Sequence, residues 1–166
     1  MTHATTHLVF GPSGAGKTTF SKSLADEIKG IHFSIDAWMV QLYGPDVPSP
    51  LDPAWLFERV QRCEEQIWST AAKLAELRIE TVLDLGFMRV NDREKFIGLA
   101  REKNIPFQSH FLAASKTVRW HRVRARNLEQ GETFTIEVSP EMFSFAEQIF
   151  EEPNAAELES VKVYRT

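Results

Sequence analysis

Short apolar runs alternate along this chain with longer stretches whose apolar residues recur every three or four positions. Thr6-His7-Leu8-Val9-Phe10 predicts a first strand. Lys17 to Lys29 predicts a helix, because Phe20, Leu24 and Ile28 share one face, and Gly30 would cap it. Ile31 to Ile35 predicts a second strand that ends at Asp36, and Ala37 to Tyr43 a short helix. The prolines between Gly44 and Pro50 argue against regular structure there. Asp52-Pro53 pairs an N-cap with a first-turn proline and opens a helix to about Leu77, striped by Leu56, Val60, Cys63, Ile67, Ala71 and Leu74. Strands are predicted again at Ile79 to Leu83, closed by Asp84, at Pro106 to Leu112, and at Val161 to Tyr164. Between them come helices from Asn91 to about Lys103, from a Ser115 cap to about Glu129, and from Ser139-Pro140-Glu141 to about Glu151.

Five strands separated by helices of this length imply right-handed crossovers, a mainly parallel sheet and helices on both faces. Ligands of such sheets gather at the carboxyl ends of the strands. Asp36 and Asp84 both fall at such ends.

Composition narrows the picture without changing it. A chain of 166 residues, 43% apolar and 25% charged, suits one domain spanning residues 1–166. No apolar run approaches the ~18 residues of a membrane span. The N-terminus lacks the basic-then-apolar order of a secretory signal. Cys63 stands alone, which excludes an internal disulfide framework and suggests a reducing, cytoplasmic setting. The net charge of −4 argues against a general nucleic-acid binder, although Lys116 to Arg126 is locally basic. His3, His7, His32, His110 and His121 show no metal-ligand spacing and read as structural.

The sharpest signal is Gly11-Pro12-Ser13-Gly14-Ala15-Gly16-Lys17-Thr18, which satisfies G-x-x-x-x-G-K-[ST] between a predicted strand and a predicted helix. The glycines let the backbone wrap a polyphosphate with its N–H groups turned inward, and the helix N-terminus adds partial positive charge. Lys17 would reach the β- and γ-phosphates, Thr18 would hold Mg²⁺, and Thr19 could contact the α-phosphate. Gly11, Ser13, Gly14, Ala15, Gly16, Lys17, Thr18 and Thr19 are the expected nucleotide contacts.

If the phosphate moves, a carboxylate must orient and deprotonate the acceptor hydroxyl. Asp36 is the expected base, with helix capping as its alternative role. Asp84 ends Thr81-Val82-Leu83-Asp84, and could hold Mg²⁺ or the acceptor. In Lys116 to Arg126, helical spacing puts Arg119, Arg122 and Arg126 on one face, beside Val118, Ala125 and Leu128 on an apolar one. Arg122 and Arg126 are expected to bind phosphate; a solvated face paired to the acidic C-terminal segment is the plainer alternative. Gly131 to Thr135 would form a lid that excludes water, within a lid segment of about 127–140. Trp38 and Met39 could line an acceptor pocket, and Arg89 or Arg93 could reach an anionic acceptor or simply lie on a helix surface.

Together these features resemble the compact P-loop kinases of the AAA_33, zeta-toxin and chloramphenicol-phosphotransferase type, over nearly the whole chain. The resemblance rests on Gly11 to Thr18, Asp36, the Asp84 strand and Arg122 with Arg126. Glu152-Pro153-Asn154 is also similar to the family's adenine-side loop. It implies a three-layer α/β/α P-loop fold and an ATP- and Mg²⁺-dependent phosphotransferase acting on a small hydroxyl-bearing acceptor. Asp36 would be the base, and Lys17, Arg122 and Arg126 would attend the phosphates. A partner-binding ATPase without an acceptor and a polynucleotide 5′-kinase are the competing expectations. Leu42 to Glu65, where the acceptor should bind, matches no motif, so the acceptor is open, as are the oligomeric state and ATP versus GTP.

Overall fold

The computed structural model describes residues 2–132 and 136–166. β1 (Thr6–Phe10) is buried at every position, because it lies third in a five-stranded sheet of order β2-β3-β1-β4-β5. It pairs in parallel with β3 (Thr81–Asp84) and β4 (Phe107–Ala113). β2 (Ile31–Ser34) joins β3, and β5 (Lys162–Arg165) joins β4, also in parallel. The expected parallel α/β architecture is therefore present.

The period-two alternation of the strands builds two apolar layers. Val9, Val82 and Leu112 face α1 (Lys17–Ile28) and pack with Phe20, Leu24 and Ile28. Leu8, Phe10, Leu83 and Phe111 face the other way, onto Ile67 and Trp68 of α3 (Pro53–Glu76) and Phe96 of α4 (Val90–Glu102). Phe96 is 1% exposed, and truncating such a side chain to alanine costs about 3–5 kcal/mol. Beyond β4 come α5 (Lys116–Glu129), α6 (Pro140–Ile149) and a short α7 (Ala155–Leu158). Among the described residues no helix is long and apolar enough to cross a membrane.

Several local expectations need correction. Lys29, not Gly30, takes the left-handed cap of α1, at φ 56°. Gly30 is demanded instead by close approach, since a Cβ there would sit 2.6 Å from the Glu80 carbonyl oxygen. Ser34, not Asp36, caps α2 (Ile35–Tyr43), its hydroxyl accepting from the Ala37 amide. Asp36 thus lies in the first turn with its carboxylate spared from capping. Gly44–Asp46 closes one 3-10 turn despite its proline, because proline fits the first positions of a helix. Arg89 rather than Asn91 precedes the first turn of α4, whose Asp92 carboxylate accepts from the Arg89 amide.

The core-facing stripe of α5 is Arg119 and Val123, four residues apart, whereas Val118 is 40% and Leu128 85% exposed. Apolar identity alone misassigned that face. Arg93 is neither an acceptor contact nor a surface charge. It is 1% exposed, donates to both carboxylate oxygens of Glu157 (2.6 and 3.0 Å) and to the Phe87 carbonyl (3.0 Å), and lies over the Phe10 ring. The pair ties α7 to the core and leads the chain into β5. α7 itself was not anticipated; its signal is Asn154 with Glu157, which cap it reciprocally.

His7 and His110 fit a structural role. His7 donates or accepts at both ring nitrogens, to Glu80 (2.8 Å) and His110 (2.9 Å), and His110 continues to the Tyr164 hydroxyl (3.0 Å).

Candidate functional site

The loop between β1 and α1 sits at the carboxyl end of the central strand. Gly14 adopts φ 79° and Gly16 φ 92°, conformations that suit glycine alone. A Cβ on Gly14 would also lie 2.6 Å from the Arg119 carbonyl oxygen, whereas one on Gly16 would meet open space, as expected of a cradle wall. Lys17 curls back so that its ammonium donates to the Pro12 carbonyl (3.1 Å).

Four expected residues converge around this loop. The Thr18 hydroxyl donates to the Asp84 carboxylate at 3.0 Å. Asp84 is 5% exposed at the end of β3. Asp36 and Arg126 complete the group: Lys17 feels the charges of Asp84, Asp36 and Arg126 together. Burial on the cleft floor pushes the Lys17 ammonium below its ordinary value, with Arg126 and Arg119 adding to the push and the two aspartates opposing it. The Asp36 carboxyl moves the other way. Its surface is open to the cleft, but the protein surrounding it thins the water around the carboxylate, and this burial, followed by the charge of Asp84, raises its pKa against the pull of Lys17 and Arg126.

Donor chemistry tests whether a nucleotide and its metal would fit. The Arg126 Nε–H is buried without a hydrogen-bond partner among the described residues. Such an orphan costs about 1–3 kcal/mol, which an anion would relieve. Thr18 and Asp84 offer a hydroxyl and a carboxylate, hard oxygen donors of the kind Mg²⁺ takes beside phosphate and water. No group of three or more His, Cys, Asp or Glu among the described residues could hold a metal alone, so the phosphates would have to supply ligands.

The structure divides the arginine stripe. Arg126 joins the Lys17–Asp36 group. Arg122 instead donates to the Thr166 hydroxyl (2.9 Å), which donates in turn to the Ala15 carbonyl of the loop (3.3 Å). Arg119 is 5% exposed and pairs with Glu147 of α6. Glu152 and Pro153 line a groove of about 550 Å³ at the carboxyl ends of β4 and β5, with Ser115, Arg165 and Thr166. Thr133, Phe134 and Thr135 of the expected lid lie outside the described residues. At the base of that segment, the Asn127 side-chain amide donates to the Val138 carbonyl (2.9 Å) and accepts from its amide (3.0 Å).

Glu147, Asn127 and Thr166 were not read as site residues. Their partners are 28, 11 and 151 positions away, beyond any local pattern. His32 was read as structural; its Nε2 lies 3.5 Å from the Asp84 carboxylate, outside hydrogen-bond geometry.

A family model described as an AAA domain matches residues 7–148, from β1 to the end of α6. The chain belongs to the AAA_33 family. No curated protein matches this AAA_33 domain in sequence. Solved structures resemble it closely in fold. A provisionally assigned kinase from Chloroflexus aurantiacus superposes with TM-score 0.74 at 18% identity, covering 99% of this chain and 89% of that one. Chaetomium thermophilum Kti12 in complex with ADP-AlF3 gives 0.70 at 16% identity, over 97% and 88%. Mycobacterium tuberculosis APS kinase CysC in complex with AMPPNP and APS gives 0.63 at 15%, over 99% and 90%. The AAA_33 domain therefore has a P-loop kinase-like fold.

Proposed function

We propose that this chain moves the γ-phosphoryl group of ATP onto a hydroxyl of a small acceptor. The observation that carries this reading is the Asp36 carboxylate, spared from helix capping, in one charge cluster with the phosphate-loop lysine Lys17 and with Arg126. A hydrolysing switch would use the same carboxylate to orient water, so a phosphorylated acceptor is what separates the two readings. The nucleotide complexes formed by its structural neighbours support the ATP part of the reading.

In this scheme the backbone amides from Gly14 to Thr18 hold the polyphosphate. Lys17 and Arg126 offset the charge that spreads over the phosphoryl oxygens as transfer proceeds. Asp36 accepts the acceptor's hydroxyl proton as its oxygen bonds to the γ-phosphorus, while the bond from that phosphorus to the bridging oxygen breaks and ADP departs. Arg122 holds the nucleotide side through the Thr166 neighbourhood. Thr18 and Asp84 would hold Mg²⁺, which when bound neutralises phosphate charge.

The test is a screen of hydroxyl compounds for ATP-dependent phosphorylated product, followed by Asp36→Asn on the acceptor found. Transfer should fall by ~10²-fold or more with ATP binding retained. The base must be ionised, and its pKa is raised, so wild-type kcat should decline on acidification from a pH above the ordinary carboxylate range. Unchanged turnover in Asp36→Asn removes the base assignment.

A further inference from the structure

A loop that binds phosphate through its N–H groups must keep its carbonyl oxygens elsewhere. Each carries partial negative charge, and one turned into the cradle would repel the ligand and displace a donor. In this chain four carbonyls of the loop are held. Pro12 accepts from Lys17 and from the Ala15 amide (3.2 Å), Ser13 from Arg119 (3.1 Å), Ala15 from Thr166, and Gly16 from the Phe20 amide. Lys17 is needed by the phosphates, so its hold on Pro12 competes with binding. The hold of Arg119 on Ser13 does not compete.

We infer that Arg119, fixed by Glu147, is a positioning residue that pins the Ser13 carbonyl outward and so keeps the phosphate cradle formed before nucleotide arrives. This rests on the nucleotide reading above. Every arm of the guanidinium is engaged. Nε donates to the Ala114 carbonyl at the end of β4 (2.9 Å), Nη1 to the Ser13 carbonyl and to Glu147 Oε1, and Nη2 to Glu147 Oε2 (2.9 Å). The side chain is 5% exposed and rests against the Phe143 ring, so it has no freedom to follow a ligand. Its own backbone carbonyl abuts Gly14, seating the first turn of α5 directly on the loop.

The brace also reaches beyond the loop. Glu147 belongs to α6, which follows the 131–139 segment, so the helix that ends the expected lid is tied through one ion pair to the residue before Gly14. The Arg119 hydrogen bond holds the Glu147 carboxyl below its ordinary pKa, consistent with an ionised partner. A fork is required for this job. Lysine keeps the charge but cannot serve Ala114, Ser13 and two carboxylate oxygens from one plane.

The experiment compares Arg119→Lys, Glu147→Gln and their double variant by calorimetric titration with ATP and Mg²⁺, by ligand-free thermal unfolding and by kcat and KM for ATP turnover. Arg119→Lys should weaken ATP binding and raise KM about 10- to 30-fold while kcat stays within about threefold, the pattern of lost ground-state positioning. Glu147→Gln, the milder change, should shift the same quantities about 3- to 10-fold. The double variant should lose no more than Arg119→Lys alone, because both act through Ser13. A lowered unfolding temperature with unchanged ATP affinity in either single variant would make the pair merely structural and overturn the inference, as would additive losses. Lys17→Ala, run alongside, separates the two levels: if it binds ATP like wild type, the nucleotide reading itself fails.

Discussion

The phosphate end and the acceptor end of this site are built in opposite ways. At the phosphate-loop end the strand is buried throughout, the Ser13 carbonyl is pinned by Arg119, Thr18 is bonded to Asp84, and Lys17 lies among the charges of Asp84, Asp36 and Arg126. From α2 into α3, where the proposed acceptor would bind, large apolar side chains stand in solvent: Val40 is 44% exposed, Leu42 52%, Val47 50%, Leu51 53% and Phe57 70%. The proposed function accounts for the difference. A polyphosphate is the same in every nucleotide and can be met by backbone geometry, which needs glycines at fixed spacing. An acceptor is met by side chains particular to it, and these leave no shared pattern.

Breaking the phosphate end should therefore have the largest effect. Gly14→Ala places a Cβ against the Arg119 carbonyl at a positive φ, and should weaken ATP binding by about 10²-fold in a calorimetric titration. Next, Arg126→Ala should lower kcat by about 10²-fold and also weaken nucleotide binding severalfold, since the phosphate loses its Nε–H as a donor, while Arg122→Ala should raise KM for ATP by about 10-fold with kcat little changed; single-turnover kinetics separate the two. Equal effects from both would erase the division of labour between them.

A smaller effect tests the rigid sheet beneath the site. Burial, then the neighbouring charges of His7 and Lys162, pushes His110 down from 6.5 to about 4. The unfolded chain takes up that proton at higher pH than the folded one. Stability is therefore complete above about pH 6.5 and declines as pH falls towards 4, by on the order of 2–3 kcal/mol from this group. Denaturant unfolding at pH 7 and pH 4.5 should show the loss, and His110→Gln should show less of it. The smallest effect belongs to the acceptor arm. Phe57→Ser should change stability by no more than about 0.5 kcal/mol, yet raise KM for the acceptor severalfold. A large loss of stability there would mean the arm is as preorganised as the loop.

The same contrast governs how much the sequence disclosed. β1 was bounded correctly because a buried strand and the loop after it are both local patterns. Lys17 and Thr18, inside the motif, and Asp36 and Asp84, at or just past strand ends, were expected to lie near one another, and the structure brings them into one cluster around the loop. The pairing of Arg119 with Glu147 could not be read, since it crosses 28 positions and Arg119, expected on a charged face, occupies a core-facing slot that periodicity assigns to an apolar residue. Arg93 misled for the same reason: a charge in a helix reads as surface until Glu157, 64 residues on, is seen to meet it. Long-range polar contacts in the interior carry no periodic signature. At the α2–α3 arm the limit is different, because its exposed side chains are not constrained by packing in the fold.

Titration of the protein with AMPPNP and Mg²⁺ in a calorimeter bears most directly on the central claim, that Gly11 to Thr18 forms a preorganised polyphosphate site. The account predicts a single saturable site in the wild type and a loss of affinity of about 10²-fold or more in Lys17→Ala. No heat in the wild type, or equal affinity in the two proteins, would contradict it.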